Sequence, residues 1–217
     1  MNHRRDQWGG SLENRGRILI RIIEESRRLV GAFPLMVKIN GSETRKKGVR
    51  PLEAARLARL LEAAGCDAVE VSCGIAEDGF NTVRVPKAPA EAMVNFLEEF
   101  KHLPGPVKWC VQRIAPFFTA IPGPITNYNV TDGATIKKQV NIPVIAVGGI
   151  RNRSDMENII QEGGADFVAM ARPFIIEPGI VEKFKTGRAL ESKCINCGYC
   201  LLGVTTNPLR CYYGKVR

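Results

Sequence analysis

At 217 residues, with 45% hydrophobic and 7% aromatic residues, the chain is long enough for one domain with a buried core and has the composition of a soluble globular protein. No apolar run is long enough to span a bilayer, and the opening MNHRRDQWGG has no secretory pattern, so the expected setting is the cytoplasm, with no membrane partner. The net charge of +9 is spread along the chain without interleaved aromatics, which reads as a solvated basic surface suited to anionic small molecules, with no nucleic acid as partner.

Ser11 to Asn14 opens a long amphipathic pattern that runs through Leu29 and closes on Gly31, as helix caps would. PLMVKIN, from Pro34 to Asn40, is short, apolar and rich in branched residues, the pattern of a buried strand. Pro51 to Gly65 begins with proline and ends with glycine, the asymmetry expected of a helix. Cys66 to Ser72 is a second strand. From Cys73 to Tyr128 the rhythm breaks into a long loop with helical stretches near Ala90 to Lys101 and Lys108 to Ala120. It resumes with a helix at Asp132 to Val140, a strand at Ile142 to Gly149, a helix capped by Ser154 through Gly163, a strand at Ala165 to Ala171, and a last helix at about Gly179 to Thr186.

Apolar strands alternating with helices predict an α/β fold with a parallel sheet covered on both faces. Four strands are half of a (β/α)8 barrel, which needs eight strands and about 250 residues. The expected organisation is a half TIM barrel over residues 1–190 and a cysteine-rich tail over 191–217.

Two strand ends carry candidate chemistry. VIAVGGIRNRSD is a strand, then Gly148 and Gly149, then a capped helix; FVAMARPF is a strand followed by Ala171 and Arg172. Small residues let a backbone approach a phosphate closely, helix starts offer free N–H groups, and arginine adds a bidentate cation. Such turns serve many phosphorylated ligands, so a phosphate-binding barrel isomerase or lyase is one reading. Lys38 is a charge inside an apolar strand. It is either a solvated edge residue or a cation turned toward a ligand.

The tail KCINCGYCLLGVTTNPLRCYYGKVR carries Cys194, Cys197, Cys200 and Cys211 at C-x2-C-x2-C-x10-C spacing. Three close cysteines and one distant one suit a [4Fe-4S] cluster. Zinc ribbons usually use two separated C-x2-C pairs, and zinc and unmetallated thiols remain the alternatives. Cys66, Cys73 and Cys110 are dispersed and read as free thiols.

The segment DQWGGSLENRGR resembles the D-x-[YW]-G-G-S-x-E-N-R signature of the old yellow enzyme family of NADH:flavin oxidoreductases. The order of PLMVKIN, VIAVGGI and FVAMARPF after it is similar to that family's second half, and the cysteine tail resembles its iron–sulfur subgroup, which includes 2,4-dienoyl-CoA reductase, enoate reductases and trimethylamine dehydrogenase. The resemblance implies an FMN-binding barrel in which NAD(P)H reduces the flavin and the flavin reduces an activated alkene or a similar small-molecule acceptor. On this basis Lys38 takes the place of the cation beside the flavin's pyrimidine edge, and Gly148, Gly149, Ala171 and Arg172 match the FMN phosphate turns. The four tail cysteines match the cluster ligands. Asp6, Gly9, Gly10, Glu13, Asn14 and Arg15 match the signature and are expected to hold a loop against a helix.

The departures also set expectations. The family's first four strands and its substrate-holding His/Asn pair precede this signature. His3 and His102 stand in neither context, so no catalytic residue is assigned. The subgroup also continues beyond the cysteines into flavin- and NAD(P)-binding domains. A half-barrel exposes strand edges, so it is expected to be a homo-oligomer, to take its N-terminal half from another chain, or to be a truncated chain. A catalytically incomplete half-barrel serving as subunit or remnant is the non-enzymatic alternative.

Overall fold

The computed structural model describes residues 2–75, 82, 84–118 and 124–215. In chain order the described elements begin with α1 (Leu12–Val30), β1 (Met36–Ser42), α2 (Pro51–Ala63) and β2 (Ala68–Cys73). Then come α3 (Ala90–Phe96), α4 (Glu98–Lys101), α5 (Gly105–Phe118), α6 (Val130–Lys137) and β3 (Val144–Val147). The rest are α7 (Arg153–Gln161), β4 (Phe167–Ala169), α8 (Arg172–Ile176), α9 (Ile180–Lys185) and α10 (Tyr199–Gly203).

Two compact units divide the chain. One comprises Met1–Ile75, Asn129–Gly148 and Glu157–Ala169, and holds the parallel sheet in the order β1-β2-β3-β4. Its core forms because the strands alternate. Val37, Ile39, Val69, Val71 and Val144 point to one face, where Ala54, Ala58 and Leu61 of α2, Ile23 of α1 and Ile136 of α6 meet them. Burying each such Val, Leu or Ile side chain contributes about 1.5–3 kcal/mol. Gly16 of α1 lies against Leu57 of α2, where a Cβ would stand 2.8 Å from a Leu57 methyl, so glycine sets how closely the helices approach.

The caps at α1 match expectation: Ser11 Oγ accepts from the Asn14 N–H at 3.2 Å, and Gly31 closes the helix at φ +57°. At α7 the cap differs. The helix begins at Arg153, and Asn152, not Ser154, provides the capping oxygen, accepting from the Ser154 N–H at 2.9 Å. β3 is shorter than the apolar run around it because Pro143 has no N–H to give and Gly148 leaves the strand at φ +146°.

The sheet's second face differs from a uniformly apolar one. Register aligns Lys38, Glu70, Ile145 and Phe167 in one row across all four strands, with Asn40 beside Ser72 in the next row. This face carries charge and hydrogen-bonding groups, as a ligand-facing surface would. β1 pairs only with β2, and β4 only with β3, so each leaves one edge unpaired among the described residues.

The second unit comprises Ala76–Tyr128, Gly149–Met156 and Met170–Arg217. The expected helix over Ala90 to Lys101 is broken at Leu97, whose ψ of 131° is extended. The next helix starts earlier than expected, at Gly105, because Pro104 and Pro106 suit a first turn that needs no N–H partner. α8 and α10 were not expected from the sequence; α10 lies inside the cysteine tail. That tail is strapped down by an antiparallel bridge between Asn152 and Glu191, with Arg153 N–H donating to Leu190 O at 2.8 Å and Ser192 N–H to Arg151 O at 2.9 Å.

Candidate functional site

β3 and β4 are neighbours, with Val147 beside Ala169, so the segments after them leave adjacent strands at the carboxyl end of the sheet. Gly148 and Gly149 follow β3 with φ of +146° and +69°, values that disfavour any side chain. A Cβ on Gly149 would strike the backbone of Ile125 and Thr126. Among the described residues the N–H groups of Gly149 and Ile150 donate to no acceptor. Ala171 then precedes α8, whose first residue is Arg172.

In the second unit, Arg172 and the four tail cysteines line one cavity, closed by Ile175, Ile176, Ile195 and Tyr213. This is the main juxtaposition that folding adds to the sequence. Asn196, 2% exposed and left-handed at φ +58°, organises it. Its carbonyl accepts from Arg172 Nη1 at 3.4 Å, its Nδ2 donates to Ile125 O at 3.1 Å, and its Oδ1 lies 3.8 Å from Cys194 Sγ. Arg151 Nη1 donates to Cys194 O at 3.1 Å. Buried Glu177 accepts from Lys193 N–H at 2.7 Å, Lys183 Nζ at 2.8 Å and Ser192 Oγ at 3.1 Å, fixing the approach to Cys194.

Burial pushes the Cys197 thiol up, and the neighbouring cysteines add to this. Burial also raises Cys200, opposed by the Arg172 guanidinium. None of the seven cysteines is in a disulfide. No group of three or more His, Cys, Asp or Glu among the described residues stands arranged to hold a metal ion. The sulfurs share a cavity without yet meeting at one point.

Lys38 is not a lone charge. Its Nζ lies 2.7 Å from Glu70 Oε1 on the neighbouring strand, with side chains 57% and 18% exposed. Sequence reading passed over Glu70; the signal available was its place as the single charge in the second strand, AVEVS, matching the lysine in the first.

The signature residues hold a loop against α1. Asn14 Nδ2 donates to Gly9 O at 3.0 Å, Arg17 Nε to Gln7 O at 2.7 Å, and Trp8 N–H to Asp6 Oδ1 at 3.0 Å. Gly9 sits so close to the Arg4 carbonyl that a Cβ has no room. Arg15 pairs with Glu53 at the start of α2.

The NADH:flavin oxidoreductase / NADH oxidase family matches residues 1–87 and 111–191. The chain belongs to that family. Among its relatives, the NADH oxidase of Thermoanaerobacter brockii is 34% identical over 204 residues, covering 93% of this chain and 26% of that protein. The 4,4'-dithiodibutanoate disulfide reductase of Rhodococcus erythropolis is 28% identical over 215 residues, covering 97% and 51%. The solved histamine dehydrogenase of Rhizobium sp. 4-9 superimposes with a TM-score of 0.65 at 21% identity, over 97% of this chain and 25% of that one. A 2-naphthoyl-CoA reductase complex gives 0.63 at 24% identity, over 92% and 25%.

The chain thus spans between a quarter and half the length of these relatives. Within the family, its four parallel β/α units form part of the TIM barrel, as the strand pattern predicts.

The turns fit a flavin phosphate. Two glycines at positive φ and two N–H groups with no acceptor among the described residues leave the turn after β3 open to an anion, and Ala171 puts a short side chain ahead of Arg172. Asn127, in the left-handed region at φ +54°, was not singled out from the sequence. Its buried Oδ1 has no partner among the described residues, while its Nδ2 donates to Asp155 at 3.0 Å. The four thiols fit a thiophilic metal or cluster by donor type.

Proposed function

We infer that the chain is part of the FMN-binding barrel of an NAD(P)H-dependent flavin oxidoreductase, acting on an activated alkene or an enoyl- or dienoyl-type acceptor. The observation that carries this reading is the family match over both the strand-end turns and the signature segment. Bound FMN would supply hydride transfer between NAD(P)H and the acceptor.

In this reading the amides of Gly149 and Ile150 hold the phosphate; the Arg172 guanidinium, expected there from the sequence, is instead turned to the cysteine cavity. Lys38 presents its ammonium toward negative charge at the pyrimidine edge, and Glu70 keeps that ammonium on the ligand-facing side of the sheet. Cys194, Cys197, Cys200 and Cys211 would hold a [4Fe-4S] cluster that relays single electrons, with Ile175, Ile176, Ile195 and Tyr213 limiting water and Arg172 and Lys193 offsetting thiolate charge. Zinc at the same four thiols is the alternative, and metal analysis separates the two.

The two unpaired strand edges support assembly with a second copy or with a chain carrying the barrel's first half. Seven cysteines outside any disulfide agree with a cytoplasmic setting. No described helix is long and apolar enough to cross a membrane.

The test is anaerobic reconstitution with FMN, iron and sulfide, followed by visible spectroscopy and an NADH-dependent enone assay with and without an N-terminal half-barrel. Flavin bands with broad absorbance near 400 nm, and activity restored by the added half, support the reading. A protein that takes up neither flavin nor iron refutes it.

A further inference from the structure

The unit that holds the sheet has a pocket of about 520 Å³ that no part of the proposed flavin or cluster chemistry uses. It lies beyond the carboxyl ends of β1 and β2. Its wall comes from the loop after β1, from Ile75 after β2, and from Gly10 and Arg15 of the signature segment. Ligands of parallel sheets bind at this end, and the volume is that of an ordinary small-molecule site.

Its charge is lopsided. Arg4, Arg15, Arg45 and Lys47 line it beside the carboxylate of Glu43, with Arg4 and Arg15 ion-paired to Asp6 and Glu53 outside the lining. Glu43 is engaged within its own loop, where its side chain accepts from Asn40 Nδ2 at 3.1 Å and from Val49 N–H at 3.3 Å. The loop is also braced. Arg50 donates to the carbonyls of Glu43, Arg45 and Lys46 at 3.2, 3.1 and 3.2 Å, and Gly48 N–H closes a turn on Arg45 O at 2.9 Å. Those carbonyls are therefore held by Arg50, while Arg45 and Lys47 line the pocket. Arg4 and Arg15 are oriented by Asp6 and Glu53.

A pocket with two cations on a braced loop and two more from the signature segment suits a ligand with more than one negative charge and several acceptor oxygens. We propose that this pocket binds the pyrophosphate portion of a nucleotide, separate from the flavin phosphate turns. The nucleotide part of the proposal rests on the oxidoreductase reading, whose chemistry brings two such molecules to the barrel: the dinucleotide reductant and a coenzyme A thioester acceptor. The anion site itself rests on the pocket alone.

The experiment is calorimetric titration of the full chain with inorganic pyrophosphate. It is repeated on Arg45→Glu/Lys47→Glu, two exposed positions, and on Arg28→Gln, an exposed control outside the pocket. Binding weakened tenfold or more in the double variant, unchanged in the control and steeply reduced by salt, is the expected result. Equal affinity in all three proteins overturns the site. Competition then identifies the source: displacement by NADPH and not coenzyme A assigns the reductant, and the reverse assigns the thioester. Displacement by neither overturns the nucleotide proposal. FMN uptake is read by absorbance in the same samples. Failure of FMN to bind any variant, with pyrophosphate binding still following the substitutions, would reject the flavin reading and keep the anion site.

Discussion

Gly149 lies directly against the carbonyl of Ile125, and the same carbonyl accepts a hydrogen bond from Asn196 in the cysteine tail. One backbone oxygen therefore ties the turn after β3 to the loop that carries Cys194 and Cys197.

That relationship makes Gly149→Ala a severe change. The new Cβ meets backbone that cannot rotate away, and the φ of +69° adds strain. The expected cost is about 2 kcal/mol or more. Thermal unfolding would read it as a clearly lowered Tm, and reconstituted protein should also lose flavin. A variant as stable as the parent would contradict the close approach.

Asp6 offers a pH test of the signature loop. The Arg4 side-chain hydrogen bond, followed by the Trp8 N–H, holds its carboxyl down at about 2, against an ordinary value of 3.8. A depressed folded value means that the contribution of Asp6 to the loop is complete above about pH 4 and is lost as pH falls through about 2. Trp8 fluorescence should therefore change with a midpoint near pH 2 in the parent and lose that transition in Asp6→Asn. The stacking of Arg21 over Trp8, 5.1 Å from the ring centroid, should make the change visible.

Lys38 and Glu70 separate stability from electronics. The lysine is largely solvent-exposed, so Lys38→Met should change stability by less than about 1 kcal/mol. In flavin-loaded protein the same substitution should lower the flavin's reduction potential, because a cation favouring the reduced, negatively charged ring is gone. Glu70→Gln should raise it. Spectroelectrochemical titration checks both directions, and identical potentials in all three proteins would remove Lys38 from the flavin site.

Glu177 tests the strap that positions the cysteines. The Lys183 hydrogen bond is the main reason its carboxyl lies below the ordinary range; burial opposes it, and the Lys193 N–H and Ser192 hydroxyl add to the lowering. Its contribution is present above the unfolded value and disappears as pH falls through the lower folded one. Glu177→Ala leaves buried donors without an acceptor and should cost about 1–3 kcal/mol. Acid unfolding curves should show a smaller pH dependence in Glu177→Gln. In anaerobically reconstituted protein, iron content should fall from about four per chain toward zero in Cys197→Ser, where one cluster ligand is lost.

Much of this protein was legible in local patterns. Pro51 and Gly31 mark helix boundaries because proline suits a first helical turn and glycine tolerates a left-handed cap. PLMVKIN and CDAVEVS are short apolar runs rich in branched residues, and their alternation with helical segments identified the sheet and its α/β class. The signature segment and the cysteine spacing were readable for the same reason: each is a contiguous run whose function depends on short-range geometry.

What folding decided are the partnerships across long separations. Glu70 meets Lys38 only because β1 and β2 pair in register, 32 residues apart. Arg172 faces the cysteines because Asn196 folds the tail back over α8, and Asn152 takes the cap expected of Ser154 because the chain there is held by Glu191. The basic pocket gathers residues from three separate segments, so no window of sequence contains it. Side-chain periodicity reports which way a residue points along its own element, whereas strand register and loop bracing determine what it faces.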